Sequence, residues 1–564
     1  MLDPRSSTPK IRIALIVDRK ICSKYVYELA NWGQEQSNLE ISHLILQNVA
    51  PAPKMPISEK VGHILRKFRI NHLARRVLLH LIWRMESKRL KWDKLYGEHL
   101  KEYDIGDIVP NTITVRPAIS QSGSVFRYDD HDIREIRKQQ FDILVNCSSG
   151  ILLGEILNAS TLGVIALEHA DDRIVRGGPP AFWEVYSKQD TTGFTIKKLT
   201  EELNGEHVLF RGRLATKRSW LLNQAALYTK SNVYFKRVLS GIAEAEELPA
   251  TLESFPYFNR LYKNPKLSAL SIYCLSSIRG RIDDFINSEY LRKFDRWGVA
   301  FSYCTWRDLV MSEGITIPNP PRHYLADPFV VSHNNENYCF VEDYDLSISR
   351  GCISAYRLFE RHAERIGEVI VEPFHMSYPY VFEYQSKYYM CPETCESKQI
   401  RLYECEAFPH KWKLSKILMT DVSAADTMMF EKDGLWWMFT NIDMANVYDQ
   451  CSELFIFYAE TPLADEWTPH PKNPIFVDSL KARNGGILFD DGAIYRVSQR
   501  QGFDRYGKAS SINRIRNLSK TDYREETLFT AEANFFKKLV GTHHIHSNRK
   551  ITVFDFAHKA NIEN

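Results

Sequence analysis

The amino-acid sequence predicts two folds in one chain: a doubly wound α/β domain followed by an all-β five-bladed β-propeller. The chain has 564 residues, which is more than one hydrophobic core normally serves. Its first part alternates strand and helix patterns, and short strands separated by turns recur after residue 296. The predicted domains are residues 1–240, a helical connector over 241–295, and the propeller over 296–564.

The opening of the chain follows a strand–helix–strand order. Ile11–Val17 is a continuous apolar run of the kind found in a parallel strand buried on both faces. Residues 23–36 have helical spacing, and residues 41–46 and 141–146 form further apolar strands. This order predicts a doubly wound sheet. A GxGxxG fingerprint does not follow the first strand, so a dinucleotide cofactor is not expected.

Composition and charge argue against several classes of function. The net charge is +3, with 44% hydrophobic and 25% charged residues, which gives no indication of nucleic-acid binding. The ten cysteines lack the spacing of a zinc site or a disulfide framework, so no metal is predicted. The sequence shows no apolar stretch long enough for a secretory signal or a membrane span. The protein is therefore expected to be cytoplasmic.

Residues 60–94 form a basic insertion in the first domain. Eleven Lys and Arg residues stand against two acids, Glu86 and Asp93, and apolar residues recur at helical spacing. A basic amphipathic helix can lie on an anionic membrane surface. The same pattern also fits a solvated helix that docks on its own domain, so both interpretations stay open. Peripheral contact with a membrane surface is one prediction from this segment.

The second half of the chain consists of short strands with turn residues between them. Four strand-rich units are visible, and they begin near Tyr324, Tyr378, Asp426 and Asn484. The units recur with a period of about 45 to 65 residues, which favours propeller blades over a sandwich. A fifth unit can be closed from both ends of the segment, by residues 298–303 and residues 542–556.

Part of the first domain carries a series of short motifs in a fixed order. The motifs are Gly163, His169, residues 176–180 (RGGPP), residues 192–196 (TGFTI) and residues 203–205 (LNG). In order and spacing, this segment resembles the catalytic core of the methionyl-tRNA and sugar-amine formyltransferases. The resemblance implies a formyltransferase-like α/β domain that transfers a formyl group from N10-formyltetrahydrofolate to an amine.

The same resemblance implies which residues would act. The family uses an Asn, a His and an Asp, and His169 stands at the histidine, where it could be a base or a proton donor near neutral pH. Asn204 stands at the Asp position, and an apolar residue replaces the Asn. Asp171 and Glu184 could supply a substitute carboxylate, and Arg176 could bind substrate. These acids could instead be solvated or pair with nearby arginines.

A second resemblance covers residues 297–556. Its motifs are residues 325–329 (LADPF), 378–382 (YPYVF), 390–394 (MCPET), 401–403 (RLY), 482–486 (ARNGG) and 495–499 (YRVSQ). With these motifs the segment resembles the amino-terminal propeller domain of plant glucosamine inositolphosphorylceramide transferases. The resemblance implies a propeller but not its activity, because in that family the glycosyl transfer is associated with a separate carboxy-terminal domain.

The same segment is more distantly similar to five-bladed glycosidases such as arabinanases and xylosidases. In that group a first-blade Asp is the base and a third-blade Asp tunes the acid, and Asp327 and Asp426 occupy similar places. Hydrolysis of a glycoside needs two carboxyl groups on either side of the scissile bond. The usual Glu of the general acid is missing, and Glu393 is the best replacement. Asp327 and Asp426 could instead only cap turns and tie the blades together.

Propeller strands begin near the central axis, so polar residues at these positions can converge on one funnel. The predicted funnel residues are Asp327, His375, Glu393, Asp426, Arg483, Asn484, Arg496, Gln499 and His543. Carboxylates, amides and guanidinium groups interleaved with aromatic rings are the expected lining of a sugar site. The histidines at 543, 544 and 546 alternate in direction along a strand, so they do not predict a metal site.

Three hypotheses for function follow from these patterns. The first is a transferase that modifies an aminosugar or glycoconjugate, formyltransferase-like, in surface polysaccharide or glycolipid biosynthesis. The second is a glycosidase or glycosyltransferase with its active site in the propeller and a scaffold first domain. The third is a non-catalytic glycan-binding protein. The predicted partners are a sugar nucleotide, a glycan or a glycolipid, and not nucleic acid.

Overall fold

The structure is a computed structural model, and it describes residues 10–48, 70–120, 123–171, 173–201, 207–253, 261–290 and 293–561. The chain divides into two compact units. The first comprises Met1–Gly212 and Lys217–Ser277, and the second comprises Arg213–Thr216 and Ile278–Asn564. The first unit mixes helices and strands, whereas the second consists almost entirely of strands.

The strands described in the first part of the chain are β1 (Ile11–Val17), β2 (Ile21–Ser23), β3 (Leu39–Gln47), β4 (Glu102–Asp104), β5 (Asn111–Val115), β6 (Ala118–Ile119), β7 (Val125–Arg127), β8 (Ile143–Asn146), β9 (Ile151–Leu152), β10 (Val164–Glu168), β11 (Thr191–Lys198) and β12 (His207–Ala215). The described α-helices are α1 (Lys24–Glu35), α2 (Ile70–Leu90), α3 (Asp130–Arg137), α4 (Phe182–Tyr186), α5 (Trp220–Ala245) and α6 (Leu267–Phe285).

A seven-stranded sheet organises the first unit, in the order β12-β11-β10-β8-β1-β3-β5. β1 pairs in parallel with β3 on one side and with β8 on the other. The strands β5 and β10 extend the parallel part outward, and β11 is antiparallel to β10. The chain therefore winds away from β1 in both directions, which confirms the predicted doubly wound order. Residues 13–17 of β1 are at most 1% exposed, as expected for a strand covered on both faces.

The helices of the first unit gather around α5. This helix contacts α1, α2, α4 and β11, and much of its length is buried. The helix α2 covers residues 70–90 of the predicted basic insertion, whereas residues 60–69 lie outside the described residues. The predicted connector over 241–295 contains the end of α5 and all of α6. Within the described residues, no helix is both long enough and apolar enough to cross a bilayer.

The strands described after α6 are β13 (Lys293–Ser302), β14 (Ile315–Ile317), β15 (His323–His333), β16 (Glu336–Asp345), β17 (Arg350–Phe359), β18 (His362–Ile370), β19 (Ser377–Tyr384), β20 (Lys387–Glu393), β21 (Gln399–Ala407), β22 (Lys411–Thr420), β23 (Ala424–Lys432), β24 (Leu435–Ile442), β25 (Glu453–Ala459), β26 (Thr468–Pro469), β27 (Phe476–Val477), β28 (Asn484–Asp490), β29 (Ala493–Gly502), β30 (Arg505–Leu518), β31 (Tyr523–Glu532), β32 (Leu539–Gly541), β33 (Ile545–Ser547) and β34 (Thr552–Asn561).

These strands form five antiparallel sheets in the described part of the second unit. Four follow the chain directly: β15–β18, β19–β22, β23–β26 with β27, and β28–β31. The fifth joins β13 and β14 to β32, β33 and β34. The first strands of successive sheets contact one another, and β33 contacts both β28 and β15. This cyclic order of five sheets makes the second unit propeller-like.

The fifth sheet closes the ring with strands from both ends of the segment. β13 pairs with β34 over its full length, from Lys293 opposite Asn561 to Ser302 opposite Thr552. The prediction that residues 298–303 and 542–556 complete one unit is confirmed by this pairing. Its buried side chains, including Val299, join those of β15 and β16 in one hydrophobic cluster. Apolar packing therefore supports the closure as well as the strand pairing.

The first strands of four sheets carry a bulge at the same place. In β15, β19, β23 and β28, two residues on the first strand stand opposite one residue on the second. Asp327, Tyr378 and Asp426 occupy the first bulge position, with φ near +50°. In β28 the left-handed residue is Gly486, with φ of 122°. A bulge changes the direction in which nearby side chains point. The four first strands therefore share one position at which the side-chain direction is altered.

We predict that Gly486→Ala destabilises the second unit by at least about 2 kcal/mol. A Cβ atom at this position would lie 2.2 Å from the carbonyl oxygen of Ile545, and φ of 122° already disfavours a side chain. Gly434→Ala is the matched control, because φ is also positive but no atom lies within 4 Å of the added Cβ. Its expected cost is about 1 kcal/mol. Denaturant unfolding followed by tryptophan fluorescence measures both, and equal losses would contradict the close packing at Gly486.

Candidate functional site

Five carboxylic acids of the second unit are buried near one another. They are Asp327 of β15, Glu342 of β16, Glu393 of β20, Asp426 of β23 and Asp555 of β34. Their exposed fractions are 5%, 7%, 8%, 1% and 0%, in that order. We refer to this set as the carboxylate cluster. Four of the five sheets contribute to it, so the cluster exists only when the sheets are assembled.

The two glutamates of the cluster occupy the same position in successive sheets. Glu342 pairs with Ala326, and Glu393 pairs with Ser377. In both sheets the partner residue directly precedes the bulge of the first strand. The repeated geometry of these two sheets therefore places one glutamate beside each of their two bulges.

Burial makes ionisation of the cluster unfavourable. Burial raises the pKa of Glu342 well above its usual range, and the charges of Asp327 and Glu393 raise it further. The pKa of Asp327 is also raised by burial, with His543 opposing the rise and Asp426 adding to it. Like charges this close cannot all be ionised, so the cluster retains protons at neutral pH.

Arg483 is the main cation facing the cluster. Its Nε donates to Asp426 Oδ2 at 2.6 Å, and its Nη2 lies 3.3 Å from Glu393 Oε2. Gln499 Nε2 donates to the same oxygen of Asp426 at 2.9 Å. Burial raises the pKa of Asp426, and the positive charge of Arg483 opposes that rise. Arg483 therefore favours the ionised form of Asp426 and ties two sheets together.

A histidine lies between the other two aspartates of the cluster. His543 Nδ1 forms an ion pair with Asp555, and its Nε2 lies 3.9 Å from Asp327 Oδ1. Asp555 Oδ1 also accepts the backbone N–H groups of His543 and His544 at 2.9 and 3.0 Å. Burial opposes protonation of His543, but the carboxylates outweigh it and raise its pKa. Asp555 thus orients the imidazole, and its free edge faces Asp327.

The same three side chains can be considered as metal ligands. Asp327, His543 and Asp555 each offer one ligand atom, and these atoms lie within 4.8 Å of one another. Carboxylate oxygens and an imidazole nitrogen form a donor set that several divalent metals accept. The ion pair between His543 and Asp555 uses part of this donor set, so a cation would have to displace it.

Two acceptor atoms, one in the carboxylate cluster and one beside it, remain available to a ligand. Among the described residues, Asp327 Oδ1 and Gln499 Oε1 are buried and have no hydrogen-bond partner. An unpaired polar atom inside a protein normally costs free energy, so such atoms often mark a place where a ligand or water binds. Two unpaired acceptors beside a proton-rich cluster fit a ligand that carries hydroxyl groups.

Aromatic rings surround the cluster. Tyr506 is 42% exposed as a residue, and the centroid of its ring lies 5.1 Å from the Arg483 guanidinium carbon. Trp297 stacks on His543 at 4.0 Å between ring centroids, and Tyr324 stacks on Tyr344 at 4.7 Å. Flat apolar rings next to buried carboxylates are typical of sites that bind sugars, because a ring can cover the C–H face of a sugar.

Most of the predicted funnel residues lie at this site. Asp327, Glu393, Asp426, Arg483, Gln499 and His543 are brought together as described above. Asn484 joins them through its side-chain amide, which donates to the carbonyl oxygen of Asp426 at 2.9 Å. His375 lies at the edge, with Nε2 3.7 Å from Glu342 Oε1.

Arg496 is placed differently from the predicted funnel position. It is fully buried, and its guanidinium donates to Glu525 at 2.7 and 2.8 Å. It also donates to the backbone carbonyls of Lys481 and Ala482 and to the side chain of Asn484. With its donors engaged in this way, Arg496 holds β28 to neighbouring strands rather than facing a ligand.

The sequence predictions missed Glu342, Asp555 and Tyr506. A signal for Glu342 exists, because it occupies the same place in its sheet as the predicted Glu393 in the next. Aligning the sheets strand by strand would have found it. Asp555 gives no comparable signal, since its role depends on the pairing of β34 with strands at the other end of the segment.

The first unit has a cavity of about 350 Å³ at the carboxyl ends of β1 and β8. Asp18, Cys22, Tyr25, His99, Lys101, Cys147, Gln224 and Tyr228 are among the residues that line it. Crevices at this edge are the usual ligand sites of doubly wound sheets, because the chain leaves the central strand in opposite directions there. The cavity is a second candidate site.

His169 lies beside this cavity, directly after β10. Its ring stacks on Tyr228 at 3.5 Å and contacts Tyr25 edge-on at 5.3 Å. Burial, together with the nearby His99, lowers the pKa of His169 to about 3. The expectation that His169 titrates near neutral pH is therefore corrected: it stays neutral, because the packed aromatic rings exclude the water that a charged imidazole needs.

The other residues predicted around His169 are held in different ways. Asp171 is buried and accepts three hydrogen bonds from the Arg173 guanidinium, the shortest at 2.6 Å. This is the pairing with a nearby arginine that the sequence left open.

Burial raises the pKa of Glu184 to about 7, and the charge of Asp171 adds to the rise. The carbonyl oxygen of Arg176 accepts the N–H of Tyr262 at 2.8 Å. Asn204 lies outside the described residues.

Comparison with known proteins identifies relatives of the second unit. Residues 303–549 match the family model described as "Glucosamine inositolphosphorylceramide transferase 1, N-terminal". The protein named "Glucosamine inositolphosphorylceramide transferase 1" from Oryza sativa subsp. japonica is 36% identical over 210 residues, and its namesake from Arabidopsis thaliana is 36% identical over 220 residues. The predicted resemblance of the propeller-like unit is confirmed by these matches.

The matches cover a limited part of each chain. They span 36% and 38% of this chain and 28% of the length of each of these relatives. Solved structures with similarity include a GH62 α-L-arabinofuranosidase of Coprinopsis cinerea, with TM-score 0.33, 10% identity, and coverage of 47% of this chain and 98% of that one. A phosphoribosylglycinamide formyltransferase from Anaplasma phagocytophilum has TM-score 0.28, 13% identity, and coverage of 45% and 98%. Likeness at this level does not establish the formyltransferase resemblance, which stays a prediction.

We predict that Arg483→Gln destabilises the protein by about 3 kcal/mol at pH 8, because it leaves buried carboxylates without their cation. Since Arg483 opposes the rise in the pKa of Asp426, its removal raises that pKa further. Protonation then relieves the penalty, so the loss at pH 5 should be smaller. Denaturant unfolding at both pH values measures the difference.

The matched control for this prediction is Arg516→Gln. Arg516 pairs with Glu526 at 2.5 Å, but the two side chains are 46% and 56% exposed. Exposed pairs of this kind contribute about 0.5 kcal/mol or less. A loss for Arg483→Gln that matches the control, or that does not depend on pH, would contradict the role of Arg483 as counter-ion.

Proposed function

We propose that the protein is a transferase that acts on the sugar of a glycoconjugate, with the carboxylate cluster of the second unit as its site. The observation that supports this most strongly is the set of five buried carboxyl groups from four sheets, facing Arg483 and His543. The relatives of the second unit are named as transferases of glucosamine inositolphosphorylceramide. The proposed substrate class is accordingly a ceramide-linked glycolipid.

Sugar transfer between two oxygen atoms needs an acid and a base. The acid protonates the oxygen that leaves the sugar, and the base accepts the proton of the attacking hydroxyl. We assign the acid role to Glu342, because burial and its neighbours keep it protonated at neutral pH. Glu342 can stay protonated only if no cation pairs with it. The histidine described beside it is His375, whose Nε2 lies 3.7 Å from Glu342 Oε1.

Asp327 is the proposed base. Its Oδ1 is buried without a hydrogen-bond partner, so this oxygen is available to a substrate hydroxyl. His544 Nδ1 and His543 Nε2 lie 3.6 and 3.9 Å from the same oxygen, and His543 is itself oriented by Asp555. A proton taken up by Asp327 can therefore be shared with the imidazole, whose pKa is raised by the two aspartates.

Asp426 has a different role in this proposal. Arg483 and Gln499 both donate to its Oδ2, so its carboxyl group is held in place. Burial raises the pKa of Asp426 to about 7, and the positive charge of Arg483 favours the ionised form. A fixed negative charge stabilises positive charge that develops on a sugar ring during transfer. Arg483 also contacts Glu393. Asp426, Glu393 and Arg483 therefore hold one another in place.

Hydrolysis of a glycan is the competing function for the same groups. Water would replace the acceptor hydroxyl, and the acid and base would be unchanged. A non-catalytic glycan-binding role would use the aromatic rings and hydroxyl acceptors without turnover. These outcomes differ in the product: labelled lipid for transfer, free labelled sugar for hydrolysis, and unchanged substrate for binding alone.

We predict that Asp327→Asn lowers transfer at least about 100-fold, since it removes the proposed base. Asn tolerates the left-handed backbone at this position, where φ is 50°, so the fold should be retained. The assay incubates the protein with inositolphosphorylceramide in detergent micelles and radiolabelled sugar nucleotides, and counts label in the lipid fraction.

Two further variants separate the candidate sites. His169→Ala alters the first unit beside its cavity and should leave transfer within about twofold of the wild type. Asp295→Asn alters an aspartate of the second unit that is 52% exposed in its pair with Lys559 and serves as the surface control. Loss of activity in His169→Ala with full activity in Asp327→Asn would move the site to the first unit. No lipid label with the wild-type protein would refute the transferase proposal for these substrates.

A further inference from the structure

The helix α2 exposes a row of large aliphatic side chains. Leu73, Val77 and Leu81 are 54%, 51% and 47% exposed. They are spaced four residues apart, so they lie on one face of the helix. A row of exposed aliphatic side chains on a helix marks a surface that another apolar medium or molecule covers.

Burial of the opposite face shows that these aliphatic residues are not needed to hold α2 in place. Ile82 and Leu90 are 4% and 5% exposed, and α2 packs against α5. The helix thus has one face that packs on its own domain and a second apolar face that is exposed among the residues the structure describes. Trp83 and Met85 are also exposed, at 43% and 50%, and Trp92 just after the helix is 83% exposed.

Cations are interleaved with the exposed aliphatic row. Arg76, Arg84, Lys88 and Arg89 are all exposed. At helical spacing, Arg84 and Lys88 fall between the directions of Leu73 and Leu81. Within the described part of the chain, these four side chains form no ion pair. The exposed face of α2 is therefore both apolar and positively charged.

The acid in the sequence of α2 does not offset this charge. Glu86 is 5% exposed and points into the domain. One of its oxygens accepts the N–H of Leu221 at 2.8 Å, and the other accepts the hydroxyl of Tyr273 from α6. Burying the acid in this way leaves the outer face with positive charge alone.

We infer that α2 lies flat on an anionic membrane surface, with Leu73, Val77 and Leu81 entering the interface. Aliphatic side chains gain from leaving water, and the flanking cations meet the lipid phosphates. Exposed tryptophans such as Trp83 and Trp92 are also enriched at this depth. Nucleic acid would satisfy the cations but would leave the aliphatic row in water. The inference does not depend on the proposed function.

The test is flotation of the full chain with vesicles. Vesicles of pure phosphatidylcholine are compared with vesicles that contain about 30% phosphatidylserine, at low and high salt. The wild-type protein should float with the anionic vesicles and at least about fivefold less with the neutral ones. High salt should reduce the bound fraction, because the cations contribute part of the affinity.

Two variants separate the apolar and charged contributions. Arg84→Glu with Lys88→Glu should lower binding to anionic vesicles at least about tenfold, since each lost cation weakens binding near the surface. Leu73→Gln with Leu81→Gln should also lower it, but without changing the salt dependence. The control is Leu414→Gln with Ile417→Gln, two residues of the second unit that are 37% and 40% exposed. Circular dichroism checks that each variant is folded.

Three results would overturn the inference. The first is equal flotation with neutral and anionic vesicles, and the second is unchanged binding by the charge-reversed variant. The third is a dimer in sedimentation velocity that dissociates in Leu73→Gln with Leu81→Gln, which would show that a second copy covers this face. If a variant misfolds, the lipid and salt comparisons on the wild-type protein still decide the question.

Discussion

The candidate site depends on the burial of five carboxyl groups with only a few cations to offset them. Moving an isolated ionised carboxylate out of water costs a large amount of free energy. Such a cluster must therefore retain protons, bind cations, or both. Here Arg483 holds Asp426 and Glu393, and His543 lies between Asp555 and Asp327. The remaining acid, Glu342, is kept neutral by burial and by its neighbours. The proposed proton donor, the free acceptor oxygen of Asp327 and the carboxyl group held by Arg483 therefore lie in a single site.

The arrangement of the sheets explains how the acids reach one another. Each acid belongs to a strand near the shared contact of the five sheets, and the bulges give Asp327 and Asp426 the same left-handed backbone in different sheets. The pairing of β13 with β34 closes the ring and brings Asp555 to the others. Stability and the proposed function therefore have the same requirement in the second unit. If the ring opened, buried carboxylates would lose their partners.

Sequence reasoning found the repeated features and missed those that depend on tertiary contacts. Asp327 and Asp426 were predicted from their likeness to glycosidase positions and from their place near the start of a strand, and both occupy the first bulge position of their sheets. Asp555 could not be predicted, since its partners are set by ring closure. In the first unit the doubly wound arrangement followed from the alternation of strand and helix patterns, but the neutral state of His169 depends on the packing of Tyr25 and Tyr228 around it. The burial of Arg496 by Glu525 likewise depends on a contact between strands that the sequence does not reveal.

We propose that the carboxylate cluster is the sugar site of this protein, and a crystal structure of the full chain soaked with glucosamine would locate that site. We expect sugar density against Asp327 and Glu342, with a hydroxyl on the unpaired Oδ1 of Asp327 and an aromatic ring beside the sugar. Density in the first-unit cavity beside His169, with none at the cluster, would contradict it.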